Sequence, residues 1–232
     1  MILVKFLRFL DKNIHKKRII FSLNKRFIDT VIDVGSHKGE FIESVLKIKS
    51  VKKIFGFEPQ KKIFKILSSK FFVTKKIKLK NIAISKKNGK RILKINKLSE
   101  TSTLSKINTK SLFYKIKNLL LFTENSNFPK EVVYVRTLDS LFQKRFFSIN
   151  KNILLKIDTE GHELDVLKGL KNKIKNVKYI LIENQFSQMY LKNNFQKCHF
   201  YLINKKFKLL KKFVFPSLHY EDRLYLNQKF EK

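Results

Sequence analysis

The chain is poor in the residues that staple and punctuate a fold. Among its 232 residues are one cysteine, three prolines, six glycines and no tryptophan. A lone Cys198 excludes an internal disulfide and a cysteine-based zinc centre, and it fits a reducing compartment. A buried, idle thiol is the expectation for it. Acids are scarce as well: 18 Asp and Glu stand against 52 Lys and Arg, a formal charge of +34. Long apolar runs are missing, since no stretch approaches the roughly 18 uninterrupted apolar residues of a membrane span. No small-residue cleavage site follows the N-terminal segment, which argues against a secretory signal. Alanine occurs once, at Ala83, while Lys, Ile, Asn and Phe abound, the usage of an AT-rich coding sequence. The lysine excess reads first as that bias. It still has physical consequences, because it attracts acidic partners such as nucleic acid, anionic lipid or acidic sugars. The sequence predicts a cytoplasmic protein, with the inner face of a membrane as a second place of work.

A hydrophobic fraction of 43% over 232 residues is enough for a real core. No internal repeat or linker divides the chain, so residues 1–232 read as one domain. Residues 1–28 form a basic amphipathic segment in which Leu3, Phe6, Leu7, Leu10 and Ile14 recur at helical spacing. That pattern suits a first helix packed on the domain, or a basic helix lying on a membrane surface. Beyond it, strands are expected at 30–34, 53–58, 77–85, 132–136, 152–158, 177–183, 208–215 and 224–227. Helical patterns fill 38–48, 61–69, 163–170 and 195–205, and a short helix begins at 137–140. The turn at 87–90 followed by alternation over 91–97 reads as a hairpin. Residues 99–130 have no clean period and read as an insert of the lid or binding-loop kind. Strands separated by helices imply an α/β fold with a mostly parallel sheet covered on both faces.

The richest stretch is 30–39, where an apolar strand runs into Gly35 and Gly39 with Asp33 two residues before the first. Glycines there let the backbone turn sharply and approach a ligand closely. Glu58 ends the next strand, at the distance where an acid accepts hydrogen bonds from a ribose diol. The spacing is D-x-G-x-x-x-G rather than the G-x-G-x-x-G that suits a pyrophosphate. A carboxylate inside the loop strand favours a cationic ligand, and S-adenosylmethionine carries an ammonium and a sulfonium without phosphates. Other acids gather at later strand ends, with Asp158, Glu160, His162 and Glu163 within six positions and Glu183 closing the strand that follows. Asp158, Glu160, His162 and His37 are the candidates for taking a proton from an acceptor. The cluster around Asp158 has ligand types that also suit a divalent cation, but no metal is assigned. His162 otherwise reads as an exposed helix-start residue, Glu163 as part of a first helical turn, and Glu183 as a substrate or cofactor contact or a plain strand-end acid.

Taken in order, Val31 through Phe41, Phe57-Glu58-Pro59, Asn81 through Ser85, Arg136 through Ser140 and Leu155 through Gly169 resemble the successive blocks of FkbM-type methyltransferases. Within the 99–130 insert, Glu100-Thr101-Ser102-Thr103-Leu104 matches a short Ser/Thr-Leu element of the same family. The resemblance spans about residues 31–183, and the K-I-D-x-E-G-x-E block at 156–163 is its most specific part. It implies a Rossmann-like class I methyltransferase fold with an antiparallel C-terminal strand, S-adenosyl-L-methionine as cofactor, and methylation of hydroxyls, often on sugars. Carried to this chain, it implies that Asp33, Gly35, His37 and Gly39 cradle the methionine end of the cofactor and that Glu58 holds the ribose. Ile82 and Ala83 would flank the adenine, and Asp158 and Glu160 would face the reacting methyl. The expected partner is a small-molecule or glycan acceptor, anionic or lipid-linked types included, with no specific nucleic acid and with peripheral membrane contact as an accessory interaction. RNA methylation and non-catalytic binding of nucleic acid or membrane are the competing functions.

Overall fold

The computed structural model describes residues 9–95, 102–105, 129–149, 151–185, 195–215 and 220–231. A π-turn at Asp11–His15 runs into helix α1 (Lys16–Asn24), and the first strand, β1 (Thr30–Val34), follows. Then come α2 (Glu40–Val45), β2 (Lys53–Phe57), α3 (Lys61–Lys70), β3 (Ile77–Lys80), β4 (Ala83–Ile84) and β5 (Gly89–Lys94). After residues 106–128 the chain continues as β6 (Lys130–Arg136), α4 (Leu138–Leu141), α5 (Lys144–Ile149) and β7 (Ile153–Ile157). It closes with α6 (Glu163–Lys168), β8 (Tyr179–Gln185), α7 (Phe195–Asn204), β9 (Phe207–Val214) and β10 (Tyr220–Asn227). Among the described residues no helix is long and apolar enough to cross a membrane.

Seven strands make one sheet in the order β3-β2-β1-β7-β8-β10-β9. All neighbours are parallel except β10, which runs antiparallel to both β8 and β9. β1 and β7 are buried along their whole length, as strands covered on both faces must be. Their side chains alternate between two cores. Val31 and Leu154 join Phe41, Ile42 and Val45 of α2, Leu67 of α3, and Ile19 and Leu23 of α1. Ile32, Val34, Leu155 and Ile157 join Leu138, Phe142, Val166, Leu167 and Leu202 on the other face. The chain order reverses between β1 and β7, and in open α/β sheets the crevice at that reversal, outside the carboxyl strand ends, takes the ligand.

Three expectations are corrected here. The strand foreseen at 77–85 is two strands in different sheets. Asn81 breaks it by donating from Nδ2 to the Glu58 carbonyl at 2.8 Å and the Pro59 carbonyl at 2.9 Å, which draws the chain out of the ladder. The hairpin foreseen from the 87–90 turn does not form either. β5 pairs with β6, and β6 also takes β4 on its other side, giving a separate sheet in the order β4-β6-β5. Ala83, Leu93, Val133 and Val135 form the core of that sheet. The strand foreseen at 224–227 starts earlier, at Tyr220. Leu3, Phe6 and Leu7, and most of the 99–130 insert, lie outside the described residues.

Candidate active site

Strand register alone assembles the centre of the site. Asp33 of β1 lies directly beside Lys156 of β7, and both point to the α1–α3 face that Val31 and Leu154 share with them. Asp158, two residues past Lys156, points the same way. The last register pair of β7 and β8, Ile157↔Ile182, sets Glu183 level with Asp158 one step further on. Asp158, Glu160 and Glu183 each bring a carboxylate oxygen within 4.8 Å of the others. These are three acids at one point of a chain whose charge is +34.

Lys156 is the cation set against them. Its Nζ lies 3.0 Å from Asp158 Oδ2 and 3.4 Å from Asp33 Oδ1, and it donates to the Gly35 carbonyl at 3.2 Å. The Phe41 ring covers it, with the centroid 5.6 Å from Nζ. Burial alone would lower the pKa of this ammonium, but the Asp158 and Asp33 carboxylates outweigh burial and push it above the ordinary lysine value. Asp33 is wholly buried, and its carboxylate oxygens accept no hydrogen bond. The cation beside Asp33 in this structure is therefore Lys156, a residue whose role the sequence argument left unread.

The glycine loop takes the conformation its residues permit. Gly35 and Gly39 both have φ of 83°, a left-handed backbone that glycine enters without steric cost. A Cβ on Gly35 would overlap the Asp158 carbonyl, and one on Gly39 would overlap the Phe71 ring. The loop and the β7 end thus meet backbone to backbone. His37 is left-handed as well, at φ 46°. Its N–H donates to Glu58 Oε2 at 3.0 Å, and Gln60 N–H donates to Glu58 Oε1 at 2.8 Å. The His37 ring turns to Glu40, with Nδ1 3.4 Å from Oε1. Burial pushes the Glu58 carboxyl up to about 7, against the pull of those two amides.

The loop after β7 is tied from three sides. Glu163 Oε1 accepts from Gly161 N–H at 2.9 Å and from Thr159 N–H and Oγ1, each at 3.2 Å. Thr103 Oγ1 donates to the Glu160 carbonyl at 2.6 Å, and Ser105 Oγ donates to the Gly161 carbonyl at 2.8 Å. These bonds hold Glu160 at φ 54°, a conformation that costs a non-glycine residue on the order of 1 kcal/mol or more. His162 is buried rather than exposed. Its Nε2 lies 2.9 Å from Ser85 Oγ, and burial lowers its pKa to about 4. Among the four residues grouped by the sequence, then, only Asp158 and Glu160 join the acid cluster. Their third partner is Glu183, which sits inside β8 rather than at its end. Ile82 packs against the larger core, and Ala83 is buried in the small sheet's core. Cys198 is buried, and burial pushes its thiol pKa up.

Residues 33–213, well over half of the chain, match the family described as Methyltransferase FkbM domain. The chain belongs to that family. No curated protein matches the sequence. Among solved structures, the FkbM methyltransferase of Methylobacillus flagellatus KT superposes with a TM-score of 0.55 at 13% identity. The match covers 86% of this chain and 43% of that one, so this chain spans less than half the length of that relative. Sp1610 of Streptococcus pneumoniae, solved with S-adenosyl-L-methionine, matches at TM-score 0.51 and 10% identity over 90% of this chain and 72% of its own. A protein of the NADB-Rossmann superfamily from Streptococcus agalactiae matches at TM-score 0.50 and 12% identity, covering 90% and 67%. At such identities the likeness establishes the Rossmann-like fold. Within the matched residues, the K-I-D-x-E-G-x-E block is the segment from Lys156 to Glu163. Its Lys bridges two acids, its Asp and first Glu enter the cluster, and its second Glu ties the loop. Thr103 of the Ser/Thr-Leu element, and Ser105 just after it, hold that block's backbone through their hydroxyls.

Proposed function

We propose that this FkbM-family chain transfers the methyl group of S-adenosylmethionine to a hydroxyl oxygen of a sugar, a glycan or a related small molecule. The observation that carries the proposal is the carboxylate cluster of Asp158, Glu160 and Glu183, placed against the glycine loop at the reversal of strand order. The residues present fit the cofactor. Each Glu58 oxygen accepts one amide N–H and keeps a lone pair for a ribose hydroxyl. The left-handed turn at Gly35, His37 and Gly39 opens the backbone beside it, and the acid cluster offers a cationic ligand its counter-charge. Asp33 acts on that ligand through Lys156 rather than by contact. When bound, S-adenosylmethionine supplies an electrophilic methyl on a sulfonium.

The chain's own residues supply alignment and proton removal. Holding the acceptor in line with the methyl contributes up to roughly 7–11 kcal/mol of barrier lowering. Taking the hydroxyl proton contributes typically about 10²–10⁴-fold. Asp158 and Glu160 are the groups placed to receive that proton. Lys156 occupies Asp158 Oδ2 and leaves Oδ1 for the acceptor. Thr103 fixes the backbone that carries Glu160.

The test is release of S-adenosylhomocysteine on a panel of hydroxylated acceptors, with a tRNA transcript in the same panel. Asp158→Asn and Glu160→Gln are expected to lower kcat by about 10²–10⁴-fold, with cofactor affinity by calorimetry changed only severalfold. Full turnover in both variants would refute the assignment. Methylation of the tRNA in place of every small acceptor would favour RNA methylation, the reading that the +34 charge suggests. Against that reading stands an acid-lined reaction point, which repels a polyanion.

A further inference from the structure

Helix α1 buries one stripe and leaves another bare. His15, Ile19, Ser22 and Leu23 face the domain. The contact that fixes the helix's rotation is His15 Nε2, 2.7 Å from Asp222 Oδ2, and Arg18 Nη1 adds a bond to the Val214 carbonyl at 3.2 Å. The opposite stripe consists of Ile14, Lys17, Phe21 and Lys25, spaced three or four residues apart as one helix face requires. Phe21 is 64% exposed, and Phe9 and Phe27, at either end of the helix, are each 59% exposed. Three exposed rings within residues 9–27 concentrate apolar surface on this segment. Lys25 Nζ stands 4.4 Å from the Phe21 ring centroid, so cation and ring reach the surface together. Asp11 is the one acid in residues 9–27, and it is held by Lys16 at 2.6 Å and by the Tyr220 hydroxyl at 3.0 Å.

We propose that this face of α1 docks on an anionic lipid surface, with its rings in the headgroup region and Lys17 and Lys25 beside lipid phosphates. Charge complementarity selects the occupant, because apolar side chains interleaved with lysines on a +34 chain match the two-part chemistry of an anionic interface. A nucleic acid would use the lysines but would leave Ile14 and Phe27 without a role. The proposal is independent of the methyl-transfer reading.

The absence of tryptophan from the chain provides the test. Phe21→Trp introduces a single tryptophan into the chain, excited at the red edge where its seven tyrosines do not absorb, and Phe200→Trp, at an exposed position on α7, is the control. With phosphatidylglycerol-containing vesicles, Phe21→Trp is expected to shift to the blue and to be quenched by brominated acyl chains, while Phe200→Trp is not. Phosphatidylcholine vesicles should bind weakly. In co-sedimentation, the Phe21→Ser/Phe27→Ser double variant should lose at least roughly tenfold in partitioning at an unchanged melting temperature. Lys17→Glu/Lys25→Glu should lose binding in a salt-dependent way. An unquenched Phe21→Trp reporter would overturn the proposal. So would lysine variants losing vesicle binding while the serine variant keeps it, or a tRNA transcript shifting the reporter when vesicles do not.

Discussion

Glu58 joins the glycine loop to the end of β2 through two amides, one on each carboxylate oxygen. That geometry belongs to the ionised carboxylate, yet burial pushes its pKa from 4.5 to about 7. The folded chain thus holds a proton on this group more tightly than the unfolded chain does. The stability it contributes is present below pH 4.5 and is lost as pH rises toward 7. Ribose hydroxyls, as donors, favour the ionised form and work in the opposite sense. Cofactor affinity is therefore expected to rise by about tenfold between pH 6 and pH 8, following the ionised fraction of a group titrating near 7. Calorimetric titration at the two pH values measures this. Glu58→Gln should bind more weakly and show a flat profile, and a persisting pH dependence in that variant would assign the effect to another group. At this scale the sequence was legible in placement: Gly35 and Gly39 make the left-handed turns expected after the first strand, and Glu58 stands beside that loop at the end of the second. The sequence was not legible at His162, which is buried rather than exposed; Glu163 does stand in the first helical turn, but its bonds to the loop were not legible. Acids and a histidine within six positions resemble a ligand set, but the backbone turn at Glu160 and Gly161 sends those two side chains to Ser85 and to the loop amides.

β1 and β7 are coupled by more than their ladder. Their register places Asp33 against Lys156, and Lys156 reaches on to Asp158 and to the Gly35 carbonyl. Removing the ammonium leaves Asp33 charged or protonated in a fully buried place. Lys156→Met is therefore expected to cost about 3–5 kcal/mol in urea unfolding, as broken buried ion pairs do. Adding Asp33→Asn should recover most of that loss, and the two single variants and the double form a cycle whose coupling energy is the measurement. The stability gain should not restore turnover, since Asp158 has still lost its fixed partner. A double variant with full kcat would reduce Lys156 to a structural role. The sequence carried this pair as two apolar strands, each with one charged residue, and only the register shows that those residues are neighbours. The same limit explains the strand at 77–85. Apolar residues recur on both sides of Asn81, but the Asn81 side chain takes the Glu58 and Pro59 carbonyls and ends one sheet before the next begins. The small sheet escaped detection because β6 pairs with β5 across a long stretch of intervening sequence, and local alternation cannot show which partner a strand finds.

For the whole molecule, charge sets the terms. A net +34 over 232 residues destabilises the compact state by self-repulsion, while three of the 18 acids meet at one strand-end crevice. Added salt shortens the Debye length from about 10 Å at 0.1 M to about 3 Å at 1 M. The melting temperature should therefore climb with sodium chloride, where a protein of balanced surface charge changes little. Helix α3 allows the cause to be isolated. Its first turn holds no acid and its last turn ends in Lys70, while Lys62 and Lys65 are both exposed. Lys62→Glu places a negative charge near the helix N-terminus and three residues before Lys65, converting repulsion into attraction. The gain should be about 0.3–1 kcal/mol, which for a chain of this size raises the melting temperature by roughly 1–4 °C at low salt. Because the effect is electrostatic and exposed, it should fade as sodium chloride rises. A gain that persists unchanged at high salt would mean that helix propensity, rather than relief of the charge excess, produced it.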